Sequence, residues 1–64
     1  MNIKSFMKDG FMLTLDLDKE YYSVHLYKGT EILENKFFDN GADATKYFED
    51  TQRKVLVEGN KWDL

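Results

Sequence analysis

Phe11-Met12-Leu13-Thr14-Leu15-Asp16-Leu17-Asp18 decides the fold. Phe11, Leu13, Leu15 and Leu17 fall on one side; Met12, Thr14, Asp16 and Asp18 fall on the other. An apolar residue at every second position over eight residues marks a half-buried strand. The next run, Tyr21 to Tyr27, is rich in aromatic and β-branched residues, which suit a pleated surface. A two-residue turn at Lys19-Glu20 sets Leu17 opposite Tyr22, Leu15 opposite Val24 and Leu13 opposite Leu26. Each pair is apolar on one face, and a slip of one residue would break all three. The turn lacks the Asn-Gly or Asp-Gly of a type I′ hairpin, so a longer loop stays open as an alternative.

Lys28-Gly29-Thr30-Glu31 reads as the second turn, with Gly29 supplying the positive φ of a type II′ hairpin. This turn sets Leu26 opposite Leu33 and Tyr22 opposite Phe37. Asn35, opposite Val24, is the one misfit on the apolar face. The reverse face then carries Met12, Thr14, Asp16, Tyr21, Ser23, His25, Tyr27, Ile32, Glu34, Lys36 and Phe38. That is more apolar area than a plain solvated surface carries. Either a second layer covers it, from the tail or a second copy, or it is a partner-binding patch, since aromatics rimmed by charge mark interfaces.

Outward from this meander, Met1 to Gly10 reads as a frayed arm or as a short helix, because Ile3, Phe6 and Met7 are spaced i, i+3, i+4. Downstream, Asp39 or Asn40 caps a helix expected from about Gly41 to Arg53. Asp43 lies in its first turn, where a carboxylate suits the helix dipole. Ala44, Tyr47, Phe48 and Thr51 form its inward stripe, against Leu13, Leu15, Val24 and Leu26. Glu49 and Arg53 form an i,i+4 pair on the outside. Val55-Leu56-Val57 reads as a short C-terminal strand, and Glu58-Gly59-Asn60-Lys61 as a turn or the start of a loose tail over 58–64. In that tail Trp62 is either a lid over an apolar patch or an exposed anchor for a partner. The expected architecture is therefore α+β. It is a three-stranded antiparallel β-meander packed by one helix, with a short C-terminal strand, in a single small domain over 1–64.

A chain of 64 residues without cysteine has no disulfide and no thiolate metal site to support so small a core. Oligomerisation or binding is the remaining help, and a homodimer is expected. No apolar run suits a signal peptide or a membrane span, so a cytoplasmic protein is the expectation. The net charge is −3. Between Asp16 and Asp50, nine acids stand against four bases. Direct nucleic-acid binding needs the opposite bias, to neutralise phosphates.

Nothing in the sequence assembles a catalytic constellation. His25 is the only histidine. It sits on the reverse face opposite Thr14 and Glu34, with Ser23 nearby but no cleft to exclude water. Asp16, Asp18 and Glu20 lack the glycine and terminal glutamate of a calcium loop. Gly41 precedes a helix, but Asp39 and Asp43 repel an anion there. The chain is read as a non-enzyme without cofactor or metal.

Lys19-Glu20-Tyr21-Tyr22, then His25, then Lys28-Gly29, then Phe37-Phe38 before an Asn-Gly helix start, resembles the short phage-encoded uracil-DNA glycosylase inhibitors. Leu26-Tyr27 and the tail from Val55 are additions to that pattern. The resemblance implies a homodimeric acidic DNA mimic with a three-stranded sheet and a helix. Its apolar cleft, formed in the dimer, captures the enzyme's DNA-probing leucine. It implies Tyr21, Tyr22, Phe37 and Phe38 as cleft residues, and Asp16, Asp18, Glu20 and Glu34 as mimic charges. The reverse face adds Tyr27 and Ile32 to the partner-binding set, and the tail adds Trp62. The expected partner is a host nucleic-acid-processing protein, most plausibly uracil-DNA glycosylase, with no direct nucleic acid and no membrane. A host defence nuclease is the next target of the same class. A single-strand nucleic-acid binder stacking bases on Tyr21, Tyr27 and Phe38, or a self-assembling accessory protein, are the rival classes.

Overall fold

A computed structural model describes residues 1–58. Strands β1 (Asn2–Lys8), β2 (Phe11–Asp18), β3 (Tyr21–Lys28) and β4 (Glu31–Phe38) precede a single helix, α1 (Gly41–Glu58). The strands form one antiparallel sheet in the order β1-β2-β3-β4. Trp62 and the expected tail lie outside the described residues, except Glu58, which ends α1.

The β2–β3 pairing is the one read from the sequence. Leu17 pairs with Tyr22, Leu15 with Val24 and Leu13 with Leu26. Lys19-Glu20 is a two-residue connection, and Lys19 takes a φ of 53° to make it. Gly29 takes a φ of 60° at the second connection, as its place in a type II′ hairpin requires.

Three expectations about strands, helix and register are corrected. Met1 to Gly10 is neither an arm nor a helix. Asn2–Lys8 pairs with β2, and Asp9-Gly10 makes the hairpin with φ values of 51° and 86°. Positive φ at both positions is the type I′ geometry, for which Asp-Gly is a preferred pair. The N-terminal ammonium donates to the Leu17 carbonyl at 2.8 Å, and the Leu17 N–H donates to the Met1 carbonyl at 2.8 Å, fastening the far end.

Val55-Leu56-Val57 is not a strand, because α1 runs on through it to Glu58. Val55 continues the inward stripe of Phe48 and Thr51 at helical spacing and is buried. That burial outweighs the mild preference of valine for strands.

The third correction is a β-bulge. Tyr27 pairs with Ile32, but Leu26 pairs with Glu34, so the register shifts at Leu33. Tyr22 then meets Phe38 rather than Phe37, and His25 meets Asn35 rather than Glu34. Every residue of β4 beyond the bulge changes face. Leu33 itself still packs, half-buried, against the core.

The core lies between one sheet face and α1. Phe11, Leu13, Leu15, Val24 and Leu26 meet Ala44, Phe48 and Val55, all buried, with Phe6, Tyr22, Phe38 and Tyr47 packed at its margin. Asn40 caps the helix, its Oδ1 accepting from the Asp43 N–H at 2.8 Å. The i,i+4 pair expected on α1 is replaced. Arg53 meets Asp50 at 3.3 Å, and Glu49 meets Lys4 of β1 at 4.0 Å.

Candidate functional site

Among the described residues one helix covers one face of the sheet, and no other element covers the opposite, open face. Paired residues of antiparallel strands share a face, so the register gives the open face row by row. Met7, Met12, Tyr27 and Ile32 form the first row. Ser5, Thr14, His25 and Asn35 form the second, and Asn2, Asp16, Ser23 and Phe37 the third. Asp18 and Tyr21 end it.

The rings on this face touch in sequence. Tyr27 stacks on His25 with centroids 5.9 Å apart, Phe37 meets His25 edge-on at 6.2 Å, and Tyr21 meets Phe37 edge-on at 5.5 Å. The result is a continuous aromatic ridge along β3 and β4, with Ser23 buried beneath it. Its apolar members remain exposed: Phe37 is 59 % accessible, Ile32 58 % and Met7 73 %. Large apolar side chains left in contiguous contact with solvent mark an interaction surface.

The charges beside the ridge are carboxylates. The Tyr21 hydroxyl donates to Asp18 Oδ2 at 3.1 Å. That bond, followed by the negative charge of Asp18, raises the tyrosine pKa above its ordinary value. Asn2 Nδ2 donates to Asp16 Oδ1 at 3.2 Å. Among the described strand residues no lysine or arginine shares a register position with this face; Lys19 stands beside Glu20 in the turn at its end. Lys4, Lys8, Lys28 and Lys36 all share register positions with residues of the covered face. Lys4 Nζ lies 5.3 Å from the Phe48 ring centroid and Lys28 Nζ 4.2 Å from that of Phe11.

The structure thus divides the candidate residues. Tyr21, Tyr27, Ile32 and Phe37 lie together on the open face, with Asp16 and Asp18 beside them. Glu20 is in the adjoining hairpin turn. Tyr22 is on the opposite side by its pairing with Leu17, and Phe38 and Glu34 join it there because of the bulge. Glu34 accepts a 2.5 Å hydrogen bond from the Tyr47 hydroxyl. Burial first, then Glu34, pushes the Tyr47 pKa up to about 12. The expected His25–Glu34 contact is therefore absent. β1 was missed as a strand, and with it Asn2, Ser5 and Met7 as part of this face, although Asp9-Gly10 signals the hairpin that brings them there.

Among the described residues no three His, Asp or Glu groups converge to hold a metal, and no buried side-chain polar atom lacks a partner. No described helix is long and apolar enough to cross a membrane. A shallow cleft of about 450 Å³ lies against α1, lined by Tyr47, Asp50, Arg53 and Lys54 among others, away from the ridge. Comparison of the chain with protein-family models, curated proteins and solved structures finds no match.

Proposed function

We propose that the chain is a protein-binding inhibitor of a nucleic-acid-processing enzyme, and that it docks through the open sheet face. One observation carries the reading: an exposed aromatic and methionine surface flanked by Asp16 and Asp18, with the Lys19-Glu20 turn at its end and no lysine or arginine from the described strands. Such a surface complements the basic, partly apolar groove in which an enzyme holds nucleic acid. The carboxylates stand in for phosphates and steer the encounter, while the ridge supplies contact area and residence time. Uracil-DNA glycosylase is the first target to test, in line with the resemblance of the Lys19–Phe38 stretch. A nuclease of a host defence system is the second.

Direct binding of single-stranded nucleic acid is the poorer fit, because stacking platforms work beside cations that neutralise phosphate. Self-association face to face is also disfavoured. An isologous contact presents the same patch on both sides, so Asp16 and Asp18 would meet no cation there. A homodimer joined at the β4 edge would leave the face free.

The test is a glycosylase assay with the chain titrated in, at low and high salt. Stoichiometric inhibition that weakens as salt rises is the expected result. No inhibition rules out the glycosylase, and inhibition insensitive to salt rules out charge mimicry.

A further inference from the structure

We propose that the open face receives one amphipathic helix of its partner, lying over the aromatic ridge with lysines or arginines on the side that meets Asp16 and Asp18. This rests on the docking reading above and names the occupant. The sheet already packs one helix, and that contact shows what suits its surface. On the covered face an apolar centre is rimmed by Lys4, Lys8, Lys28 and Lys36, and Lys4 reaches Glu49 of α1 at 4.0 Å.

The covered face also carries Glu31 and Glu34, whereas the open face repeats the apolar element with only carboxylates, and no lysine, among its strand residues. Asp16 and Asp18 are its only formal charges among the described residues. Each carboxylate has one oxygen engaged by a neighbour, Asn2 or Tyr21, and is thereby held in place for an incoming cation. The size also fits. An eight-residue strand spans about 26 Å, the length of about 17 helical residues, and α1 itself has 18. Met7 and Met12, unbranched and adaptable, lie in the row nearest the Asp9-Gly10 hairpin and can mould to an apolar stripe. A helix bearing acids would be repelled.

The probe is a pair of synthetic helices of about 18 residues, matched to the strand length. Both carry the same leucine stripe, one with a lysine flank and one with a glutamate flank. Each is titrated into the isotope-labelled full chain and followed by amide chemical shifts. The lysine helix should bind at least about ten-fold more tightly than the glutamate helix, the factor expected from about 1.4 kcal/mol of charge complementarity. Its shifts should fall on Thr14, Asp16, His25 and Phe37. The double variant Asp16→Asn, Asp18→Asn should abolish the preference without unfolding the chain. Equal binding of both helices, or shifts confined to α1, overturns the proposal. If neither helix binds but Phe37→Asp still disrupts a complex with an intact target enzyme, the helical occupant is wrong and the docking face stands. Concentration-dependent shifts of the same amides without any helix would identify a second copy as the occupant and overturn it too.

Discussion

Lys19 holds a backbone conformation that side chains with a Cβ rarely adopt, with φ at 53°. The left-handed region costs a non-glycine residue about 1–2 kcal/mol, and here the two-residue hairpin imposes it. Lys19→Gly should therefore raise stability by roughly 0.5–1 kcal/mol, seen as a higher urea midpoint; an unchanged or lower midpoint would show that the turn carries no strain. Tyr47 gives a pH signature. Its pKa is raised above the ordinary 10.0, to about 12, by burial and then by Glu34. The folded state thus resists ionisation of this hydroxyl, and the stability that follows is complete below pH 10 and lost as pH rises towards 12. The Tm difference between wild type and Tyr47→Phe should be flat below pH 10 and shrink above it. A difference that widens would contradict the Tyr47–Glu34 contact. Neither feature was legible in advance. Lys19 has no turn signature, and Glu34 reaches Tyr47 only because of a bulge.

At the scale of elements, the strand register of the β2–β3 hairpin was legible, because alternation and cross-strand pairing agree there over eight residues. β1 was not, since its own register irregularity between Asn2 and Lys4 breaks the period-two pattern. Ile3, Phe6 and Met7 then imitate helical spacing, and only Asp9-Gly10 betrays the hairpin. The end of α1 was hidden for the opposite reason: Val55-Leu56-Val57 looks like a strand, and only the i+4 step from Thr51 to Val55 marks the helix. The bulge at Leu33 had no signal of its own, yet it decides which of two adjacent phenylalanines faces the core. Substitution tests it. Phe38, on the core side, should cost about 2 kcal/mol as Phe38→Ala. Phe37, on the open side, should stay within about 0.5 kcal/mol as Phe37→Ala. The reverse order in chemical denaturation would restore the unbulged register. Val55→Ala, which empties a buried position under the last turns of α1, should cost roughly 2 kcal/mol; a neutral result would place those turns off the sheet.

The whole molecule is polarised, with the sheet lysines on the helix side and the aromatic ridge on the other. Alternation along β2 and β3 placed Tyr21, Tyr27, Asp16 and Asp18 on that side from the sequence. The segregation of the lysines was not legible, because it depends on the registers of β1 and β4. In the function proposed above, this segregation is what favours a basic partner over nucleic acid or a second copy. The most direct test is the binding affinity of uracil-DNA glycosylase for the wild-type chain, for Phe37→Asp and for Leu56→Asp. Leu56 is an exposed apolar residue on the helix and serves as the control. The account predicts a tight wild-type complex, a loss of at least about 100-fold with Phe37→Asp, the scale of an interface hot spot, and no change with Leu56→Asp. No complex at all, or one that Phe37→Asp leaves intact, would contradict it.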